Sequence, residues 1–287
     1  MFFHVELSLI IILSQALHVL ARPYFYIDPT GPFRQWPNSV VEYCLVGSHN
    51  QDFVDLMLKA EAKWFNAITP KGETPKSSIH VSYGATCEYD TTGDYLHVTL
   101  TDKRRAQCSI GYQAGSTREK PKQTMEFDMD PRWGTGDAVA NLAHELGHAF
   151  GLYHEHQRWG AWHPDFIGGR PYPLLKFHCE NLAHFDSKKD KVTDAKCKNR
   201  NDAIEAERFS ALDFLPLEAG TSNKQSTKFD WDSTMMYSSY AGAKVVNGRR
   251  YPTLVDYNDV ELKPNLNPSP LDAEAIIALY PPGAGLI

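Results

Sequence analysis

Hydrophobic positions in the first half of the chain change repeatedly between strand and helix spacing. Val40 to Val46 is a largely apolar run and predicts a buried strand. Apolar residues then recur at helical spacing until Pro70 ends the pattern, and two alternating stretches predict two further strands. The helix positions are Phe53, Leu56, Met57, Ala60, Trp64 and Ile68, and the strand positions are Ile79, Val81 and Tyr83, then Leu96, Val98 and Leu100. Ala106 to Tyr112 is a further strand candidate.

A second amphipathic helix follows the strands. Asp137 can cap its first turn, and an apolar stripe predicts its buried face. The stripe consists of Val139, Leu142, Leu146 and Ala149. One helix among several strands, followed by this second helix, predicts an α+β upper lobe.

The second half of the chain has weaker periodicity. Trp159 to Asp230 is largely irregular, although a helix can form within Ala203 to Leu215. Leu271 to Tyr280 predicts a short final helix, which Pro281 and Pro282 stop. The length suits one large domain or two lobes that share a cleft. We find no internal repeat.

The N-terminal residues form a separate apolar segment. The run from Leu7 extends with interruptions to Leu20, and Ala21 can end a cleavage site, which predicts a secretory signal peptide over residues 1–21. The alternative is a membrane anchor, but the run is short and carries Glu6 and His18. Residues 22–34 would then form a short linker or pro-segment, and residues 35–287 would form the main domain.

Charge and cysteine content limit the possible function classes. The formal net charge is −6, and no basic stripe suggests a nucleic-acid partner. Five cysteines fit an oxidising compartment, and two disulfides with one free thiol are the simplest partition. Other pairings stay open. We expect Cys87–Cys108 and Cys179–Cys197, with Cys44 as a buried free thiol.

The candidate chemistry lies in the segment H-E-L-G-H-A-F-G-L-Y-H, which starts at residue 144. His144 and His148 are four residues apart on the helix, so both imidazoles leave one face and can share a metal ion. Gly151 allows a turn that returns His154 as a third nitrogen ligand. Three protein ligands leave the fourth position of a tetrahedral zinc open, as in catalytic sites. Glu145 lies beside them and can take a proton from a water. The simpler alternative is three unrelated histidines on an amphipathic helix.

The extended motif H-E-x-x-H-x-x-G-x-x-H resembles that of the metzincin zinc peptidases. Glu155 and Arg158 after the third histidine look like the astacin type. The later segment Ser233 to Tyr237, S-T-M-M-Y, is similar to the astacin methionine turn S-x-M-x-Y. The resemblance covers about Gln35 to Tyr280.

The resemblance implies a zincin-like, two-lobed catalytic domain. Its upper lobe would contain a mixed sheet and the active-site helix, and its irregular lower lobe would be followed by a C-terminal helix. It implies a secreted endopeptidase with one Zn²⁺ ion that acts on proteins or peptides. Met235 would pack beneath the zinc, and Tyr237 would stabilise the oxyanion. Glu155 would contact the new N-terminus of the mature chain, although a surface position is its alternative.

The sequence also departs from the family pattern. The residues after Arg158 are uncharged, and the long stretch that follows predicts an insertion within 160–230. The usual F-x-G-D inhibitory segment is absent, so Asp28 is the carboxylate that we expect to cap the zinc before activation. A binding protein without turnover is the rival function, but retention of Glu145 and Gly151 argues against it. A different metal hydrolase, such as an amidase, is disfavoured by the methionine turn.

Overall fold

The computed structural model describes residues 25–117, 119–163, 171–183, 185, 197, 200, 210–218, 220, 223–226 and 228–283. The expected signal peptide at 1–21 lies outside the described residues, as do residues 203–209 of the helix candidate. No helix in the described part of the chain is long and apolar enough to cross a membrane.

The described secondary structure consists of short strands and four α-helices. The strands are β1 (Phe25–Ile27), β2 (Val40–Leu45), β3 (His80–Thr86), β4 (Leu96–Leu100), β5 (Ala106–Cys108), β6 (Thr124–Phe127), β7 (Leu175–Phe177), β8 (Asn223–Gln225), β9 (Val245–Val246), β10 (Arg249–Arg250) and β11 (Leu254–Asp256). The α-helices are α1 (Gln51–Ile68), α2 (Ala138–Phe150), α3 (Trp159–Trp162) and α4 (Pro270–Leu279).

A five-stranded mixed sheet organises the upper lobe. Its order is β3-β2-β4-β6-β5, and every pair is parallel except β5, which runs antiparallel to β6. The predictions for β2, β3 and β4 are confirmed. The candidate strand at Ala106–Tyr112 is shorter than expected because Gly111 leaves the sheet and donates its N–H to His148 O. The sequence pattern does not predict β6, which has four residues.

The two long helices pack against each other beside this sheet. Asn50 caps α1 through Phe53 N, and the predicted stripe is buried except for Leu56, which is partly buried. Trp64 Nε1 donates to Ala143 O across the helix interface at 2.8 Å. The predicted final helix is confirmed as α4, whose Ile276 and Leu279 complete the same core.

A second hydrophobic core forms the lower lobe. It contains buried side chains around the β7–β11 pair and the 3-10 turn Ser210–Asp213, among them Leu175, Phe214 and Leu254. Met235 belongs to the upper core and Met236 to the lower core. The methionine turn therefore lies where the two cores meet.

The disulfide pairing corrects one of the two expected bonds. Cys179–Cys197 is present as expected, but Cys87 pairs with Cys44, and Cys108 is the free cysteine. The predictions of a Cys87–Cys108 bond and a free Cys44 were wrong. Cys87 directly follows β3 and Cys108 ends β5, and the sheet order places these two strands at opposite edges. Cys44 lies on β2, next to β3, and its Cα is 4.9 Å from that of Cys87.

Candidate metal centre

Helix α2 carries two of the predicted metal ligands and has well-defined ends. Asp137 accepts hydrogen bonds from Val139 N and Ala140 N, which confirms the predicted cap. The stripe is buried except for Val139, which is only partly buried. Gly151 ends the helix at φ 111°, a left-handed conformation that favours glycine. The turn then runs through Leu152 and Tyr153 to His154.

The three predicted histidines converge on one point. His154 Nε2 lies 3.0 Å from His148 Nε2 and 3.1 Å from His144 Nε2. Zinc bonded to nitrogens at about 2.0–2.1 Å in tetrahedral geometry separates those nitrogens by about 3.3 Å. The three ring atoms therefore have the spacing and the chemical type of a zinc site. Among the described residues, no other histidine, cysteine or carboxylate joins this group.

The opposite ring nitrogens of the histidines are held by oxygen acceptors. His144 Nδ1 is 2.8 Å from Thr234 O, and His148 Nδ1 is 2.8 Å from Leu152 O. His154 Nδ1 is 3.2 Å from Gln157 Oε1. Each acceptor requires the proton on Nδ1, so each Nε2 presents a lone pair to the shared point. These lone pairs face one another, and a cation is the partner that satisfies them.

Burial also favours the uncharged form of these rings. Desolvation lowers the pKa of all three histidines below the ordinary value, and it lowers that of His148 to about 3. Neutral imidazole is the form that binds a metal. The electrostatic environment therefore agrees with the geometry.

Glu145 is a buried carboxyl group beside the histidines. Its side chain is 5% exposed, and its Oε2 atom has no hydrogen-bond partner in the described structure. Burial raises the pKa of Glu145 to about 8, so the group can exchange a proton near neutral pH. Glu145 and His144 both line the cleft described below.

The methionine turn is anchored from two sides. Asp272 on α4 accepts from Ser233 Oγ at 2.6 Å and from Thr234 N at 2.8 Å. On the other side, Glu155 N donates to Met235 O at 3.0 Å. The sequence pattern alone does not assign Asp272 this role. Asp272 lies three residues after the capping Ser269, and this spacing predicts only the start of a helix.

Gly147 is a second site residue whose role the sequence pattern does not predict. A Cβ atom at this position would lie 2.4 Å from Met235 Sδ and 3.0 Å from the Trp64 ring. Glycine is therefore required for the close approach of the methionine turn to α2. Met235 is 1% exposed and packs against Gly147 of α2, while its implied position beneath a zinc ion stays a prediction.

Tyr237 lies at the same cluster. Its ring centroid is 4.4 Å from that of His154 and 6.0 Å from that of His144. Burial raises the pKa of Tyr237 well above its ordinary value, so the phenol keeps its proton and can donate a hydrogen bond. The structure thus brings together all five residues predicted for metal binding and catalysis.

Glu155 is buried rather than on the surface. It is 4% exposed, and Arg158 donates to both of its oxygens, at 2.8 and 2.7 Å. Asp230 N donates to Glu155 Oε1 at 2.9 Å. Phe25 of β1 lies against this pair, with its ring centroid 5.2 Å from Arg158 Cζ. The surface alternative for Glu155 is therefore wrong, while the expected contact with a new N-terminus stays a prediction.

Asp28 does not lie over the histidines. Its carboxylate accepts from Lys224 Nζ at 2.8 Å and from Thr30 Oγ1 at 2.8 Å. The reason is the pairing of β1 with β8, which places Asp28 beside Lys224. The hypothesis that Asp28 caps the zinc is therefore not borne out by this structure.

An open cleft of about 610 Å³ gives access to the candidate site. Arg105 and Ala106, at the start of edge strand β5, line it on one side, and Asp213 and Phe214 line it on another. Edge strand β5 therefore borders the cleft. A strand edge offers backbone groups that can pair with an extended peptide.

Comparisons with known proteins identify the fold. No protein-family model matches the sequence, and no curated protein matches it. A solved structure of myroilysin aligns with a TM-score of 0.50 at 19% identity, covering 90% of this chain and 98% of that chain. The chain shares the fold of myroilysin. The predicted α+β, zincin-like fold is thereby confirmed.

Two further solved structures align with this chain at lower TM-scores. High choriolytic enzyme 1, a hatching enzyme zinc-protease from the medaka fish Oryzias latipes, aligns with a TM-score of 0.49 at 17% identity. That alignment covers 88% of this chain and 96% of the enzyme. A second myroilysin structure has a TM-score of 0.46 at 18% identity and covers 86% of both chains.

Proposed function

We propose that this chain is a secreted, zinc-dependent endopeptidase. The observation that carries the proposal is the convergence of His144, His148 and His154 beside Glu145, whose Oε2 atom has no hydrogen-bond partner among the described residues. One zinc ion would be held by the three Nε2 atoms. An open cleft reaches this point, as a catalytic site requires and a closed structural site does not.

The side chains around the histidines suit peptide hydrolysis. When bound, zinc would polarise the scissile carbonyl and acidify a water molecule. Glu145 accepts the proton of the attacking water at its free Oε2 atom and then hands it to the leaving amine. Tyr237 donates its phenol hydrogen to the oxyanion of the tetrahedral adduct. Both Glu145 and Tyr237 line the cleft that reaches His144, which supports these roles.

Substrate binding follows from the border of the cleft. β5 is one of the two edge strands of the sheet, and Ala106 lines the cleft. An extended segment of a protein or peptide can add to this edge through main-chain hydrogen bonds, which place few demands on sequence. The substrates would therefore be proteins or peptides in extended conformation.

Metal removal tests this function directly. We expect a zinc chelator to abolish casein hydrolysis by the secreted protein, and stoichiometric zinc to restore it. His144→Ala removes one ligand and should prevent restoration, whereas His80→Ala, at an exposed histidine on β3, should not. Hydrolysis that persists in protein with no detectable zinc would contradict the proposal.

A further inference from the structure

His156 is buried at the candidate site although it is not one of the three ligands. It is 0% exposed and lies in the 3-10 turn Glu155–Gln157, directly after the third ligand. Both of its ring nitrogens have partners elsewhere, so neither is available to the metal. Because both ring nitrogens of this buried imidazole are hydrogen-bonded, His156 can fix the positions of the groups that it contacts.

The hydrogen bonds of His156 join two loops of the lower lobe. His156 Nε2 is 2.7 Å from Asp213 O, and His156 Nδ1 is 3.4 Å from Tyr237 N. A carbonyl oxygen can only accept, so Nε2 carries the proton and Nδ1 accepts from the Tyr237 N–H. The backbone of Tyr237 is therefore held to the loop that contains Asp213.

Ring contacts hold the side chain of Tyr237 in the same way. The His156 ring centroid lies 4.4 Å from that of Tyr237 with an interplanar angle of 31°. It also lies 5.0 Å from the ring of His154 at 27°. One imidazole thus contacts the backbone and the ring of Tyr237 and also a metal-binding histidine.

We propose that His156 is a positioning residue that holds Tyr237 where its phenol can donate to the oxyanion. This inference rests on the proposed peptidase function, because it assigns His156 an effect on the reaction through Tyr237. His156 does not touch the substrate or the reacting atoms. Simple core packing, the alternative, would affect stability without a specific link to the role of Tyr237.

A double-mutant cycle separates these possibilities. Peptide hydrolysis is measured for His156→Leu, His156→Gln, Tyr237→Phe and the His156→Leu/Tyr237→Phe pair, with His80→Leu as an exposed control. Leucine fills similar space without hydrogen bonds, whereas glutamine can replace the donor to Asp213 O. We expect His156→Leu to lower kcat about tenfold with KM within about twofold, and His156→Gln to recover most of the loss.

The Tyr237→Phe background gives the decisive comparison. There, His156→Leu should lower kcat by less than about twofold, because the phenol that it positions is already absent. An equal fold-loss in both backgrounds, or no loss in the wild-type background, overturns the proposal. Each variant must also hold the zinc content of the wild-type protein, since a lost ion would mean that His156 supports the metal rather than Tyr237.

Amide hydrogen exchange tests the contact without relying on activity. The Tyr237 amide should exchange at least about tenfold faster in His156→Leu than in the wild-type protein, because it loses its acceptor. Unchanged exchange overturns the positioning role. If the zinc-loaded wild-type protein cleaves no peptide, the proposed function fails, and the exchange measurement still decides whether His156 holds Tyr237.

Discussion

A buried carboxyl oxygen without a hydrogen-bond partner destabilises a folded protein, and Glu145 carries such an atom. The position of Glu145 beside three convergent histidines gives this destabilisation a functional explanation. Strain and unsatisfied groups concentrate where chemistry occurs. At the scale of single residues, this is the strongest evidence that the histidine cluster is catalytic rather than structural.

Single residues at the site were predictable only where the motif names them. Helical spacing and a glycine turn predict the site roles of His144, Glu145, His148 and His154. The same pattern does not predict the roles of His156, Gly147 and Asp272, because these depend on partners that lie far away in sequence. Gly147 meets Met235, for example, only after the methionine turn packs beneath α2.

Gly147→Ala should destabilise the protein. The added methyl group would lie 2.4 Å from Met235 Sδ, so the buried methionine turn must move. We expect the free energy of unfolding to fall by about 1–3 kcal/mol, the usual cost of overpacking. Urea denaturation measures this change. Gly220→Ala is the control and should leave the midpoint unchanged, because the nearest described atom beyond its chain neighbours, Glu218 O, would lie 3.9 Å from the added Cβ.

The Asp28–Lys224 ion pair should make stability depend on pH in the acid range. The hydrogen bond from Lys224 lowers the pKa of Asp28 from 3.8 to about 2 in the folded protein. A lowered carboxyl pKa stabilises the fold above pH 3.8, and this contribution is lost as the pH falls towards 2. Asp28→Asn should therefore lower the melting temperature at pH 7 but not at pH 2. Equal melting temperatures at pH 7 would show that the pair contributes nothing.

At the scale of elements, the sequence predicts units that are stabilised locally and misses those that depend on distant pairing. Helices α1 and α2 have caps and apolar stripes within their own segments, and α4 has a capping box and a largely apolar sequence. β1 has three residues and pairs with β8, about two hundred residues later. Its short pattern carries no local signal, because the pairing energy comes from that distant strand.

The disulfides follow the same rule. Cys179 and Cys197 are close in sequence and were paired correctly, whereas the partner of Cys87 depends on strand order. Peptide mapping without reduction should recover a fragment that links Cys44 to Cys87 and a separate alkylated fragment with Cys108. A fragment that links Cys87 to Cys108 would mean that the strand order described here is wrong.

At the scale of the whole molecule, two cores meet at the methionine turn. Met235 contributes to one and Met236 to the other, and the next residue, Tyr237, faces the histidines. The proposed site therefore depends on how the lobes pack together. The sequence predicts two lobes through the family resemblance, but it does not predict which side chains hold them together.

The predicted secretion concerns the whole chain and can be tested at its N-terminus. Cleavage after Ala21 should give a secreted protein whose first residue is Arg22. N-terminal sequencing of protein from the culture medium measures this. A secreted protein that begins at Met1, or a chain that stays with the membrane fraction, would contradict the predicted signal peptide.

The most direct test of the proposed function compares casein hydrolysis by the zinc-loaded wild-type protein and Glu145→Gln. Glutamine keeps the shape of the side chain but cannot accept the water proton, so we expect a rate loss of about 10²–10⁴. Both proteins should hold one zinc ion per chain, and Glu274→Gln on α4 should keep the wild-type rate. Hydrolysis by Glu145→Gln within a fewfold of the wild-type rate, or an inactive zinc-loaded wild-type protein, would contradict the account.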